Sequence, residues 1–253
     1  MTHPLDIIPS SGQKELKYLQ PRFPQIGAAP ARIILAAPSG AGKSSAAAVL
    51  FREYLPICDR VHIVSSTIHL DPVYREPMRL TREHYKRKQI DIDDPQEAVF
   101  NEDLSNLKII LAGMAKRTQE AQAKGSTYAP LTYLWIDDLA AGAASNSASY
   151  RYNNDIDRLF MSGRHTGLVV CLLTQAFKML SRNARLQASH IGVWSGNDWP
   201  AVREELENRE GLSREKLETA FQMATKKPHG FLWIALSNEH KLWSGFTKRL
   251  IEK

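Results

Sequence analysis

Short apolar segments alternate with helix-forming segments through most of the chain. Continuous apolar runs predict buried strands at residues 32–36, 60–65, 131–136, 167–175 and 190–194. Helices are predicted between them at residues 43–54, from Asp103 to Gly125, and at 153–162, 200–208 and 213–224. Two further apolar runs, at 231–236 and 241–246, predict a hairpin. The order predicts an α/β fold with a mostly parallel sheet, helices on both faces and a small C-terminal hairpin.

Two segments lack this periodicity. Prolines recur through residues 1–30, which are predicted to form an extended N-terminal arm. Residues 67–100 show neither helical nor strand spacing, and an irregular excursion is expected there. Residues 31–253 are expected to form one domain, because a chain of this length is within the range of a single large α/β unit.

The most informative segment lies between the first predicted strand and the first predicted helix. Residues 37–44 read A-P-S-G-A-G-K-S. A glycine-bearing turn at this position lets backbone N–H groups surround a phosphate at the positive end of the following helix. Ala37 replaces the usual first glycine and is small enough to fit. A chance Gly-Lys-Ser turn is the alternative, and the flanking strand and helix argue against it.

Residues 37–44 form a Walker A motif, whose residues bind the phosphates and the metal of a nucleotide. The predicted nucleotide-binding residues are Ala37, Pro38, Ser39, Gly40, Ala41, Gly42, Lys43, Ser44 and Ser45. Lys43 is placed to reach the β- and γ-phosphates, and the hydroxyl of Ser44 to bind Mg²⁺. The motif therefore predicts ATP and Mg²⁺ as cofactors.

Polar residues follow two further predicted strands. Asp137 and Asp138 follow the apolar run 131–136 in a Walker B pattern. Asp137 is predicted to hold Mg²⁺ and Asp138 to orient the attacking water, the alternative being that one of them caps the next helix. Gln175 ends the next strand; it is expected to reach the γ-phosphate or that water if the strand lies between the other two, the alternative being that it starts a turn. The doubled acid favours hydrolysis, because the substrate of a metabolite kinase supplies its own nucleophile.

The charge of the chain bears on whether nucleic acid is a partner. The net charge of +6 permits nucleic-acid binding. Basic residues concentrate between Arg79 and Lys88 around Tyr85, where they are candidates for gripping phosphates and stacking on a base. The alternative, a solvated surface helix or loop, is favoured on charge alone. Cys58 and Cys171, the only cysteines, lie in apolar contexts typical of reduced, buried thiols.

The chain has no apolar run near the ~20 residues of a membrane span and no signal-peptide pattern at its start. We therefore expect an intracellular, soluble protein without a membrane anchor.

The motifs together resemble a known group of motors. The set consists of residues 37–44, Ile136-Asp137-Asp138, and the segment from Gly163-Arg164-His165 to Thr174-Gln175, and it resembles the FtsK/HerA superfamily. Within that superfamily the chain is most similar to the DNA-packaging ATPases of double-stranded DNA viruses of the poxvirus, giant-virus and virophage type. Residues 64–67 with Asp71 and Tyr74 are similar as well. The resemblance covers residues 31–195.

The resemblance implies a P-loop NTPase of RecA-like core, in which the strand ending at Gln175 lies between the Walker A and Walker B strands. It implies a homo-oligomeric ring, pentameric or hexameric, around double-stranded DNA, with an arginine from the neighbouring subunit completing each site. Arg164 is the first candidate for that finger and Arg158 the second; the alternative for Arg164 is a solvated helix end. Arg182 and Arg185 are either DNA contacts or ordinary surface.

The resemblance also implies capsid vertex proteins as partners, and the host cytoplasm, the viral assembly site or the virion as the location. The leading function is an ATP-driven DNA translocase that packages a viral genome. A cellular or plasmid DNA pump, or a helicase-like motor of the same superfamily, stays open because the site residues do not distinguish them. A P-loop nucleotide kinase is disfavoured by the doubled acid, and a non-hydrolysing structural subunit by the intact Lys43, Asp137 and Asp138.

Overall fold

A computed structural model describes residues 16–95, 97–137, 154–161, 163, 166–196, 198–236 and 241–251. The described residues form one nine-stranded sheet. Its strands are β1 (Arg32–Ala36), β2 (Arg60–Ser65), β3 (Phe100–Asn101), β4 (Thr132–Asp137), β5 (Leu168–Thr174), β6 (His190–Trp194), β7 (Phe231–Ala235), β8 (Lys241–Ser244) and β9 (Lys248–Ile251). The order across the sheet is β3-β2-β4-β5-β1-β6-β7-β8-β9. Strands β1 to β6 are parallel, and β7 to β9 continue the sheet antiparallel.

Helices cover both faces of this sheet. They are α1 (Lys43–Tyr54), α2 (Arg75–Arg87), α3 (Leu107–Ala123), α4 (residues 154–161), α5 (Arg182–Gln187), α6 (Trp199–Glu210) and α7 (Arg214–Thr225). In β1, Ile33 and Leu35 pack on the side of α1 and α2. Ile34 and Ala36 pack on the opposite side, with α3, α4, α6 and α7. Because successive side chains of a strand point to opposite faces, a strand buried on both sides is apolar, as β1 is after its first residue, Arg32.

The predicted fold class is confirmed. The structure has a mostly parallel sheet between two helical layers, and β7 and β8 form the expected C-terminal hairpin. Strand β5 lies between β1 and β4, which is the order that the sequence resemblance implies. The hairpin is extended by β9, a strand that the sequence did not predict.

The prediction of an irregular segment at residues 67–100 is wrong. A short 3-10 helix at Pro72–Tyr74 leads into α2, and its N-cap Asp71 accepts a hydrogen bond from the backbone N–H of Val73. The buried side of α2 includes Thr81 and His84, whose polar character conceals the helical period. Both side chains are satisfied by backbone carbonyl groups, so they can be buried.

Residues 16–30 pack against the domain. Ile26 is buried in the core, the hydroxyl of Tyr54 donates to the carbonyl of Gly27, and the indole of Trp233 donates to the carbonyl of Gln25. The division into an arm at 1–30 and a domain at 31–253 stays a prediction. Among the described residues, no helix is both long enough and apolar enough to cross a membrane.

Candidate nucleotide-binding site

The loop between β1 and α1 has the backbone geometry that its sequence predicts. Gly40 and Gly42 have φ of 74° and 106°, in the left-handed region that favours glycine. Gly42 is the N-cap of α1, so the first turn of the helix points its N–H groups into the loop. Ala37 is fully buried, and its N–H donates to the carbonyl of Thr174. The core therefore accommodates an alanine at the position where a first glycine is usual.

Lys43 lies inside this loop. Its ammonium Nζ donates to the carbonyl oxygens of Ala37 and Pro38, at 2.6 and 3.0 Å. The side chain is 8% exposed, so its charge is held largely out of solvent by those carbonyl groups. A cation in this position faces the space that the backbone N–H groups of the loop surround.

The two predicted metal ligands are adjacent in space. Oγ of Ser44 donates to Oδ2 of Asp137 over 3.2 Å, although 93 residues separate them in sequence. Mg²⁺ binds hydroxyl and carboxylate oxygens and is usually held by one or two carboxylates together with phosphate oxygens. The pair therefore fits Mg²⁺ bound jointly with a nucleotide. Among the described residues no cluster of three or more His, Cys, Asp or Glu side chains forms a metal site of its own.

Tyr74 is a further member of the site. Its hydroxyl donates to Oδ2 of Asp137 at 2.5 Å, and its ring packs 5.5 Å from that of Trp135. Burial, and then the charge of Asp137, raise the pKa of Tyr74 far above its ordinary value, so the phenol stays protonated as a donor. The sequence placed Tyr74 in a segment that resembles the superfamily but gave it no role.

Asp198 is a residue near the site that no sequence pattern predicted. It lies after β6 with its side chain buried, and Oδ1 accepts from the N–H of Phe177 at 2.7 Å. Burial raises its pKa, while the hydrogen bond from Phe177 and the charge of Lys43 act in the opposite direction. The segment that carries Asp198 flanks the phosphate loop, because a Cβ built on Gly196 would lie 2.9 Å from Cγ of Pro38. An isolated acid near a helix start carries no sequence signal for such a position.

The structure describes some of the remaining predicted catalytic residues. Gln175 directly follows β5, and its side chain is exposed at the end of the strand that separates β1 from β4. Arg158 lies on α4 and is exposed. Asp138 and Arg164 lie outside the described residues, so their roles stay predictions.

The proposed stacking role of Tyr85 is wrong. Tyr85 is fully buried, and its hydroxyl bonds to both the N–H and the carbonyl of Val61. Arg79 pairs with Glu83, and Lys88 binds the carbonyl of Cys58. One side of the segment from Arg79 to Lys88 therefore packs on the core, and the other side is charged and solvated.

The prediction for the two cysteines is confirmed, whereas DNA contact by Arg182 and Arg185 stays a prediction. Cys58 and Cys171 are free and buried, as expected. Burial raises the pKa of the Cys58 thiol well above its ordinary value and that of Cys171 to about 12, so both stay protonated. Arg182 is exposed, and Arg185 pairs with Glu205 at 2.8 Å.

Comparison with solved structures identifies the fold. The genome packaging NTPase B204 of Sulfolobus turreted icosahedral virus 2 in complex with AMPPCP aligns with a TM-score of 0.52 and 16% identity, over 84% of this chain and 96% of that one. Its complex with ATP-gammaS aligns at 0.50 and 16%, over 84% and 95%. The pCW3 conjugation coupling protein TcpA aligns at 0.55 and 15%, over 85% of this chain and 60% of TcpA.

The fold is that of a P-loop NTPase. Identities at this level establish the fold alone, and the fold is consistent with the FtsK/HerA resemblance of the motifs. No protein-family model matches the sequence, and no curated protein is similar to it.

Proposed function

We propose that the chain is an ATP-hydrolysing motor that translocates double-stranded DNA and packages a viral genome. The observation that carries the proposal is the convergence of Lys43, Ser44 and Asp137 at the carboxyl ends of β1 and β4. In parallel sheets this edge is where ligands bind. The fold shared with B204, which was solved with ATP analogues, supports the same proposal.

In this proposal each residue of the site has its own role in ATP hydrolysis. On nucleotide binding, the ammonium of Lys43 exchanges the carbonyl groups of Ala37 and Pro38 for β- and γ-phosphate oxygens, which neutralises their charge. Ser44 and Asp137 would hold Mg²⁺, and the ion would supply electrostatic stabilisation of the transferred phosphoryl group. Asp138 orients the attacking water. Gln175, on the strand between the two motifs, contacts the γ-phosphate or that water.

DNA translocation is supported by the ordered motifs and by the fold. In the proposal, subunits form a ring around DNA, and an arginine of one subunit, Arg164 or Arg158, reaches the nucleotide of the next. The ring binds capsid vertex proteins at the viral assembly site. A plasmid or cellular DNA pump is the second candidate, and the alignment with the conjugation coupling protein TcpA favours it over a kinase.

DNA-stimulated ATPase activity tests the proposal. We expect purified protein to hydrolyse ATP faster with linear double-stranded DNA and to displace a triplex-forming strand from it. Lys43→Ala removes the phosphate-binding charge, so activity that remains in this variant comes from contaminating ATPases. Lys216→Ala changes an exposed lysine on α7 and is the matched control, which should keep the activity. ATP turnover that ignores DNA, or no turnover at all, contradicts a translocase.

A second experiment separates packaging from plasmid or cellular pumping. Under the packaging proposal a virus encodes the chain, and empty capsids of that virus are incubated with the motor, ATP and linear DNA. Protection of the DNA from nuclease supports packaging. Translocation without protection supports the alternative pump.

A further inference from the structure

Positive charge is concentrated in the C-terminal part of the sequence. Glu239 is the only acidic residue between Glu218 and Glu252. The basic residues of the same interval are Lys226, Lys227, Lys241, Lys248 and Arg249. With five positive charges against one negative charge, the interval accounts for +4 of the net charge of +6.

The fold brings three of these lysines to one cleft. Lys226 is the C-cap of α7 and Lys227 follows it, whereas Lys248 is the first residue of β9. All three line an open cleft of about 510 Å³ between the end of α7 and the turn from β8 to β9. No acidic side chain is among the described residues that line this cleft. We call Lys226, Lys227 and Lys248 the lysine cluster.

The charges of the lysine cluster are uncompensated within the described part of the chain. All three side chains are exposed, and none of them forms an ion pair with a described acid. On α2, by contrast, Arg79 pairs with Glu83. Like charges around one cleft repel one another and create a positive potential there, which an anionic ligand would neutralise.

Each part of the lysine cluster also has a local structural role. The carbonyl end of a helix attracts cations such as Lys226, and a lysine on an edge strand, such as Lys248 on β9, hinders pairing with another sheet. These two roles are independent of each other. They do not explain why lysines from two separate elements line the same cleft.

The cleft lies at the edge of the sheet that carries the phosphate loop. Strand β6 ends and β7 begins at this edge, where Trp194 pairs with Phe231. The turn after Lys227 also contacts the loop, since Nδ1 of His229 lies 3.3 Å from the carbonyl oxygen of Ala41. A ligand bound at the lysine cluster is therefore one turn of the chain away from the phosphate loop.

We propose that the lysine cluster binds the phosphate backbone of double-stranded DNA. The inference rests on the proposed function and adds to it a DNA-binding surface outside the nucleotide site. A lysine ammonium group on its flexible stem binds phosphate whatever the base sequence, which suits a motor that must hold every base pair it passes. The exposed hydroxyl of Thr247, which also lines the cleft, can donate to a phosphate as well.

An acidic protein surface fits the cleft less well than DNA does. Lysine is depleted at protein–protein interfaces, whereas protein–DNA interfaces are much more positively charged. The test is designed so that a protein partner gives a different result.

The test measures the affinity for a DNA duplex of mixed sequence as a function of salt. Lys226→Gln, Lys227→Gln and Lys248→Gln are combined in one variant of the full chain. The matched control combines glutamine substitutions at three exposed lysines of α3 and its C-cap, namely Lys108, Lys116 and Lys124. Fluorescence anisotropy gives the affinity between about 50 and 200 mM salt. Thermal unfolding and ATP hydrolysis, with and without DNA, are measured on the same proteins.

We expect the salt dependence of DNA binding to fall in the cluster variant alone. Each lost phosphate contact lowers the slope of log affinity against log salt by about 0.9, so the slope should fall by about 2.7 for each subunit that contacts the duplex. The α3 variant should keep the wild-type slope. Both variants should keep the wild-type Tm and the rate of ATP hydrolysis without DNA, and only the cluster variant should lose stimulation by DNA.

Three results overturn the inference. Wild-type affinity and slope in the cluster variant would mean that DNA is not bound there, and a changed oligomeric state in that variant would then assign the lysines to a neighbouring subunit. An equal fall of the slope in the α3 variant would mean that affinity follows net charge alone. A lower Tm with weaker binding at the wild-type slope would mean that the lysines only stabilise the end of α7.

Failure of the proposed function gives a separate result. If the wild type binds no DNA and DNA does not stimulate its ATP hydrolysis, the translocase proposal fails together with the inference. If the wild type binds DNA and the cluster variant binds it equally well, only the inference fails.

Discussion

The hydroxyl of Tyr74 donates a hydrogen bond to Oδ2 of Asp137 over 2.5 Å, and the same oxygen accepts from Oγ of Ser44. Tyr74 is 1% exposed and packs against Trp135, so its ring has little freedom to move. Two donors from different parts of the chain therefore orient the carboxylate at the end of β4. The segment after β2 is linked in this way to the predicted magnesium site.

Tyr74→Phe removes one of these donors and keeps the ring. A hydrogen bond to a charged group contributes about 1.5–3 kcal/mol, so we expect kcat for ATP hydrolysis to fall about tenfold. The KM for ATP should change little, and the Mg²⁺ concentration that gives half the maximal rate should rise. Steady-state kinetics at varied Mg²⁺ measure all three quantities.

Tyr128→Phe is the matched control, since Tyr128 is an exposed tyrosine away from the site. It should leave the kinetics unchanged. If Tyr74→Phe lowers thermal stability and kcat but leaves the Mg²⁺ requirement where it was, then Tyr74 is a packing residue and does not position Asp137.

Asp138→Asn should retain MgATP binding and stop hydrolysis, because the amide occupies the same volume but cannot take up a proton from water. Asp91→Asn is the control, because Asp91 is an exposed aspartate outside the Walker A and Walker B motifs. Binding is measured by calorimetry and turnover by phosphate release. Loss of nucleotide binding in a folded Asp138→Asn protein would make Asp138 a metal ligand and reverse the roles given to the two acids.

Arg164→Ala should abolish ATPase activity in a way that a second mutant can rescue. A finger acts on the nucleotide of the neighbouring subunit, so Arg164→Ala subunits keep an intact phosphate loop, and Lys43→Ala subunits keep an intact arginine. Mixing the two inactive proteins should restore ATPase activity at the mixed boundaries. Single-site turnover is the measurement, because a strictly sequential ring can hide rescue in the steady state.

The same mixing experiment with Arg158→Ala decides between the two arginines. Arg158 is exposed on α4, whereas Arg164 lies outside the described residues. Complementation of Arg158→Ala together with failure of Arg164→Ala would assign the finger to Arg158.

Stability should fall between pH 6.5 and pH 4 because of His62. Burial, and to a lesser extent the charges of Arg117 and Arg60, lower the pKa of His62 from 6.5 to about 4. The unfolded chain therefore takes up a proton in this range while the folded chain does not, so the free energy of unfolding decreases as pH falls. His62 contributes about 2 kcal/mol of the loss at pH 5 relative to pH 7.5, and His190, whose pKa burial also lowers to about 4, adds to it.

His62→Gln should reduce that loss, although the variant is less stable at every pH. Urea unfolding at pH 7.5 and pH 5 gives the difference for each protein. His69→Gln, at an exposed histidine, is the control and should follow the wild type. An equal pH dependence in His62→Gln and the wild type would contradict the assignment.

Local sequence sufficed for the parts of the site that lie within a few residues of one another. Strand β1, the loop and helix α1 form a contiguous segment, and both elements have the predicted bounds, Arg32–Ala36 and Lys43–Tyr54. Apolar runs identified the longer parallel strands because these are buried on both faces, whereas the two-residue strand β3 was missed. Helix α2 was missed because part of its buried stripe is polar, and its burial depends on carbonyl groups supplied by residues such as Cys58.

The sequence by itself determined the fold class, the phosphate loop and the two acids of the Walker B pattern, because periodicity and motif spacing are local properties. The tertiary structure alone decided which distant groups meet. Tyr74 reaches Asp137 because β2 lies beside β4 in the sheet. His229 approaches Ala41 across 188 residues because the antiparallel strands extend the sheet past β6. Such contacts follow from strand order and side-chain packing, which no local sequence pattern specifies.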